Sequence, residues 1–223
     1  MKYLVLTTMI IAAASCNLVN IERDLSVKAF YQARQNLQGI AYQTPLMYMS
    51  RLSEKYDCNV FVKREDLQVV RSYKIRGAFN KMSNTPMNIL KKGVVCASAG
   101  NHAQGVAFSC ARLKIYCKVF MPLTAPPQKI NKVKGFGREY IEVILTGKNF
   151  DEALAAAEQY TKQNGSTFVS AFNDLQVITG QGTVGLEIIE DIDLPIDYVF
   201  AGIGGGGFLS GLSAVFKQLS PET

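Results

Sequence analysis

The chain has 223 residues, 48% hydrophobic and 19% charged, with a net charge of +6. That balance suits a globular chain with a substantial core, as one large domain or two small ones, and excludes a disordered polyelectrolyte. A single histidine, His102, excludes multi-histidine metal centres, and five cysteines without a C-x-x-C pair (Cys16, Cys58, Cys96, Cys110, Cys117) suit buried apolar positions better than a zinc site or disulfide framework.

Residues 1–19 stand apart from the rest. "MKYLVLTTMIIAAASC" has Lys2, an apolar run from Tyr3 to Ala14 and small residues before Cys16, the pattern of an export leader. "AAASC" loosely resembles a lipoprotein cleavage box, with Ala13 where leucine is usual. The run is short for a transmembrane helix. The other reading is an extraneous extension before a domain that starts near Asn20, and this stretch is set apart from the fold.

From there the chain alternates strands and helices. "VFVK" (60–63) reads as a strand, followed by a helix through "IRGAFNKM". "GVVCAS" (93–98) is a strand and "NHAQGVAFSCARL" a helix; "YCKVFMP" is a strand and "PPQKINKVKGFG" a helix framed by proline and glycine. The basic stretch "QKINKVKGFGR" reads as a solvated helix face, because no aromatic interleaving or nucleic-acid motif accompanies it. "YIEVILT" is a strand, and "NFDEALAAAEQYTKQNG" is the clearest helix. "TFVSA" and "DYVFAG" are strands with "GTVGLEIIEDI" helical between them.

Such alternation predicts an α/β fold with parallel sheets covered on both faces. Residues 75–170 make a small domain, and residues 20–74 with 171–223 a large one. Ligands in such folds sit at the carboxyl ends of the strands.

Three strand-to-helix segments carry chemistry. In "AGIGGGGFLSG" (201–211), four adjacent glycines offer bare backbone N–H groups to a phosphate, and Gly202, Gly204 and Gly207 spell GxGxxG. A side chain at Gly205 or Gly206 fills space that the phosphate needs. In "KREDLQVVRSYKIRGAFNK", Lys74 starts a helix among other cations, which disfavours its ammonium form and favours an amine nucleophile. Surface solvation is the ordinary role of a lysine. "ASAGNHAQG" (97–105) puts Ser98, Gly100 and Asn101 at a helix mouth, where N–H groups, a hydroxyl and an amide suit a carboxylate or phenolic oxygen. Helix capping by Ser98 or Asn101 accounts for the same residues, and His102 is either a base or a structural residue of the helix start.

Taken in order, "SYKIRGA", "SAGNHAQG" and "GGGGFLSG" closely resemble the biosynthetic threonine dehydratases, members of the fold-type II (tryptophan synthase β-like) pyridoxal-phosphate enzymes. The likeness covers residues 25–220 and extends to "FVKREDLQ", "MPLTAPPQKINKVKGFG", "FDEA" and "VITGQGTVGLEI". The resemblance implies two parallel-sheet α/β domains and the cofactor pyridoxal 5′-phosphate. It implies deamination of L-threonine, with L-serine a second candidate, to a 2-oxo acid and ammonia at the entry to isoleucine synthesis. It also implies a cytoplasmic lyase acting on a small amino acid, with no nucleic-acid, membrane or metal partner, and a homo-oligomer in full-length members.

The resemblance assigns roles residue by residue. Lys74 matches the lysine that holds the cofactor covalently and later removes the substrate's α-proton. Tyr73 matches an aromatic position beside the cofactor ring, where phenylalanine is usual, and Asn101 matches the asparagine bonded to the cofactor's 3′-oxygen. Ser98, Ala99, Gly100, Asn101 and His102 match the loop that grips the substrate carboxylate. Gly204, Gly205, Gly206 and Gly207, with Phe208 in place of a frequent leucine, match the phosphate loop. Ala99 replaces the serine of the racemases of this fold and carries no hydroxyl proton, which favours elimination over racemisation.

Two further readings stand beside this one: a dinucleotide oxidoreductase, and an inactive fragment or binding module. The first needs an acidic residue about twenty positions beyond the glycine loop, where the chain offers only Glu222 in its "SPET" tail. Catalytic domains of the family continue past the glycine loop and supply a hydroxyl to the cofactor's pyridine nitrogen. Purified residues 20–223 are therefore expected to form little or no 2-oxobutanoate from L-threonine. The same segment extended by the family's C-terminal portion should turn over, and equal rates for the two would contradict this expectation.

Overall fold

The structure, a computed structural model, describes residues 3–6 and 25–223. Cys16 and most of the leader-like stretch lie outside the described residues. The strands are β1 (Tyr3–Leu6), β2 (Leu46–Tyr48), β3 (Asn59–Lys63), β4 (Val94–Ala97), β5 (Cys117–Met121), β6 (Ile141–Leu145), β7 (Thr167–Phe168) and β8 (Tyr198–Phe200). The helices are α1 (Val27–Asn36), α2 (Ser50–Tyr56), α3 (Lys74–Ser83), α4 (Met87–Leu90), α5 (Asn101–Leu113), α6 (Pro127–Gly137), α7 (Phe150–Asn164), α8 (Leu175–Glu190) and α9 (Gly207–Leu219).

They form two four-stranded sheets, ordered β2-β3-β1-β8 and β6-β5-β4-β7. The second is parallel throughout. In the first, β2 runs antiparallel to β3, a departure from the all-parallel expectation confined to one edge. Tyr3–Leu6, which the sequence reading sets apart from the fold, runs parallel between β3 and β8.

Local chemistry explains the elements. At α7, the Asn149 side chain accepts from the Glu152 N–H at 3.0 Å and the Glu152 carboxylate accepts from the Lys148 N–H at 2.8 Å, and Gly165 ends the helix in the left-handed region. Along α6, Lys129, Lys132 and Lys134 are exposed while Val133 is buried, as expected of a solvated face. The α8 helix starts at Leu175, two turns earlier than "GTVGLEIIEDI" suggests. Its N-cap Asp174 accepts from the N–H groups of Gln176 and Val177 at 2.9 and 3.1 Å. The glycines that weaken the helical signal there are needed for close packing: a Cβ on Gly180 would stand 2.6 Å from the Arg76 carbonyl oxygen.

The core of the all-parallel sheet lies between β4, β5 and helices α5 and α6, where Cys96, Cys110 and Cys117 are buried among Val106, Val119 and Met121. Burial pushes the Cys117 thiol well above its ordinary value. These cysteines fill apolar space, as expected. Coverage on both faces holds for β4 but not for β2 and β8, where Met47, Tyr48, Tyr198 and Phe200 are exposed.

The α3 helix is clamped by two others, α5 and α8. A Cβ on Gly105 of α5 would meet the Lys74 carbonyl oxygen at 2.9 Å, and one on Gly77 would meet the Val177 oxygen of α8 at 2.7 Å. Arg76, 1% exposed, fixes the register of the clamp. Its guanidinium donates to both oxygens of Glu65 at 2.9 and 2.7 Å and to both oxygens of Glu187 at 2.6 and 2.9 Å. Lys63 extends the cluster to Asp191 at 2.7 Å and Glu187 at 3.0 Å. Removing one partner of such a group leaves buried charge uncompensated, so Arg76→Met should cost about 3–5 kcal/mol. Denaturant unfolding without added cofactor checks this, and a loss below about 1 kcal/mol would mean that the glutamates find other partners.

Candidate active site

Lys74 is the first residue of α3. Its ammonium donates to the Ala171 carbonyl at 2.7 Å and lies 5.3 Å from the Tyr73 ring centre. The acceptor is a neutral carbonyl, so burial dominates and pushes the Lys74 pKa down to about 8. Neighbouring cations, the cause expected from the sequence, are not responsible. Arg76 is engaged by its glutamates and Arg71 is exposed.

The glycine loop follows β8 and opens α9, whose N-cap, Gly206, has φ +85 and provides no side-chain cap. The first N–H groups of that helix therefore lack an intrahelical or side-chain partner. Gly204 and Gly205 are exposed. A Cβ on Gly206 would meet nothing within 4 Å, but its left-handed φ strains any other residue. Gly205 is different. A Cβ there would strike the Phe172 ring at 2.1 Å. The expectation that a side chain at both positions enters phosphate space is thus corrected at Gly205, where a ring stands in the way.

At the third loop, Ser98 Oγ accepts from the Gly100 N–H at 3.0 Å, and α5 starts at Asn101 with no side-chain cap. Capping by Ser98 or Asn101 is therefore not how this helix begins. Asn101 is exposed, whereas Ala99 and Gly100 are half-buried. His102 is buried and turned inward, its Nε2–H donating to the Val169 carbonyl at 2.9 Å. Burial, and secondly the Lys74 charge, push its pKa down to about 4. It is neutral at pH 7.

Three distant segments thus meet. Tyr73 and Phe208 stack with ring centres 4.1 Å apart and planes at 18°, joining the lysine to the glycine loop. Gly105 brings α5 against the Lys74 backbone. The sequence reading missed Ala171 and Phe172, which contact the lysine and the loop. Their signal was positional: "SAFND" is another strand-to-helix junction, between β7 and α8.

A desolvated amine, on a helix start joined through Tyr73 and Phe208 to an uncapped, open glycine helix start, has the chemistry that suits a lysine-linked phosphorylated carbonyl cofactor. Residues 37–223 match the family model described as pyridoxal-phosphate dependent enzyme. The chain belongs to the pyridoxal-phosphate-dependent enzyme family. It is 54% identical over 191 residues to L-threonine dehydratase biosynthetic IlvA of Halalkalibacterium halodurans, covering 86% of this chain and 46% of that protein. The Bacillus subtilis protein of that name is 49% identical over 199 residues, covering 89% of this chain and 47% of the relative. The processed form of threonine deaminase isoform 2 from Solanum lycopersicum superposes with TM-score 0.81 at 40% identity, over 89% of this chain and 55% of that one. Maize serine racemase superposes with TM-score 0.83 at 27% identity, over 88% of this chain and 59% of that one. The chain spans about half the length of the curated relatives it matches.

With Lys74 near pKa 8, about a tenth of its amine is neutral at pH 7, far more than for an exposed lysine. Attachment of pyridoxal phosphate should accelerate as pH rises through about 8 and then level off. Borohydride trapping at timed intervals gives the profile, and a rate still climbing at pH 10 would contradict a desolvated amine.

Proposed function

We propose that this chain carries the cofactor and substrate loops of an L-threonine ammonia-lyase, converting L-threonine to 2-oxobutanoate and ammonia. The observation that carries the reading is the desolvated Lys74 amine on a helix start joined to the uncapped glycine loop by the Tyr73–Phe208 stack, in a chain 54% identical to an L-threonine dehydratase. In this reading residues 20–74 with 171–223, and residues 75–170, are the two domains that hold the site between them.

Lys74 Nζ would hold the cofactor and would serve as the base for the proton on the substrate's α-carbon. Backbone N–H groups of Gly204, Gly205, Gly206 and Gly207 would hold the phosphate at the α9 start. Tyr73, with Phe208 stacked on it, would lie beside the cofactor ring, and the exposed Asn101 amide would reach its 3′-oxygen. When bound, pyridoxal phosphate supplies an electron sink for the charge left at the α-carbon. Ser98, Ala99, Gly100 and the first N–H groups of α5 orient the substrate carboxylate. His102 contributes there through its backbone, because its side chain faces Val169.

Racemisation is the second reading, favoured by the superposition on maize serine racemase. Ala99 argues against it, having no hydroxyl to deliver a proton to the opposite face. Among the described residues no helix is long and apolar enough to cross a membrane. A cytoplasmic location and self-association belong to the same proposal.

Borohydride reduction with pyridoxal phosphate, followed by peptide mapping, tests the assignment. Label should appear on Lys74 and disappear in Lys74→Ala, whereas label on another lysine would overturn the role given to Lys74.

A further inference from the structure

The segment between β7 and α8 touches both halves of the site through consecutive residues. Ala171 offers its carbonyl to the Lys74 amine at 2.7 Å. Phe172, the next residue, fills the space beside Gly205: a Cβ there would stand 2.1, 2.2 and 2.5 Å from Cγ, Cδ1 and Cδ2 of its ring. Its main chain abuts the loop as well, since a Cβ on Gly207 would lie 2.5 Å from the Phe172 oxygen. Gly206, between these two, faces open space.

Both ends of this segment are anchored. Ser170 Oγ accepts from the N–H groups of Phe172 at 3.4 Å and Asn173 at 3.0 Å. Asp174, besides capping α8, pairs with Lys81 at 2.7 Å, on the same helix that begins at Lys74. The segment is thus tied to α3 at two points, Lys74 with Ala171 and Lys81 with Asp174. An aromatic ring with few rotamers makes a stiff spacer between that helix and the glycine loop.

We propose that Phe172 is a positioning residue that sets the placement of the Gly204–Gly207 loop relative to the Lys74 amine. The inference rests on the reading of that loop as the phosphate site. Phe172 touches the loop backbone and acts through it. Glycine at position 205 is then a steric match to the ring, and the two positions behave as a unit.

A size-swap cycle tests this, using pyridoxal phosphate as the probe. Affinity is read from the absorbance of the lysine-bound cofactor, and thermal midpoints are read without cofactor, for wild type, Phe172→Leu, Phe172→Ala, Gly205→Ala and the double variant Phe172→Ala with Gly205→Ala. A misplaced loop should weaken binding about tenfold or more in Phe172→Ala and in Gly205→Ala, and less than about threefold in Phe172→Leu. The double variant should regain about tenfold over Gly205→Ala alone, because the new methyl enters the space vacated by the ring.

Affinity unchanged in Phe172→Ala, with only a lowered midpoint, would overturn the inference and reduce Phe172 to core packing. Additive losses in the double variant would overturn it as well. Should Phe172→Ala alone not fold, the double variant, whose new methyl refills part of the vacated space, is compared directly with Gly205→Ala, and a gain in affinity below about threefold would overturn the inference. A wild-type chain that binds no pyridoxal phosphate would overturn the functional reading itself, whereas binding insensitive to Phe172 would overturn this inference alone.

Discussion

The structure depends on a buried guanidinium. Arg76 lies two residues beyond Lys74 and binds carboxylates from two distant segments, Glu65 after β3 and Glu187 near the end of α8. Its Nη2 also reaches the Tyr42 carbonyl at 3.0 Å, so the chain before β2 joins the same knot. A charge this buried is tolerable only when its donors are satisfied, and the partners must therefore hold their places. Satisfying Arg76 fixes the axial position of α3, and that position decides where the Lys74 amine emerges.

The contrast between these two cations is what makes the lysine useful. Side chains two apart on a helix point in different directions. Arg76 points into carboxylates and keeps its charge, whereas Lys74 meets a neutral carbonyl and loses part of the support for its own. A carboxylate at the place of the Ala171 oxygen would stabilise the ammonium and remove the nucleophile. His102 follows the same logic nearby. Buried near the Lys74 charge and bonded to Val169, it is held neutral and adds no second positive charge.

Much of this arrangement was legible in the sequence because strand-to-helix junctions announce themselves. Lys74, the Ser98–His102 loop and the Gly204–Phe208 loop each combine an apolar strand or helix start with residues of distinctive backbone or polar chemistry, and all three converge. What stayed hidden was of two kinds. The Ala171 contact uses a main-chain carbonyl, which leaves no trace in residue identity. The close approach at Gly180 and Gly105 depends on which helices become neighbours, a tertiary fact that local propensity misreads as helix weakness, and hence the late expected start of α8. The antiparallel β2 was hidden because three residues are too few to show a period. The cause of the Lys74 shift was misjudged for a related reason: sequence proximity to Arg71 and Arg76 says nothing about where their charges are spent.

The glycine loop shows why identical letters in a row need separate explanations. Gly206 is required by its left-handed backbone angle, and the space above it is open, as at a helix start that an anion can approach. Gly205 and Gly207 are required by Phe172, whose ring and main chain occupy the positions their side chains would take. The run thus has two faces, one open and one packed against the protein. Phe208 closes the run by stacking on Tyr73 at 4.1 Å. The two positions at which the motifs depart from the family's usual residues therefore touch each other, and an offset pair of this kind contributes about 0.5–1.5 kcal/mol beyond its burial. A ring at 208 finds its partner in the residue that precedes the lysine, so the departure at one loop is accommodated at the other, and the loop stays joined to the helix start that carries Lys74.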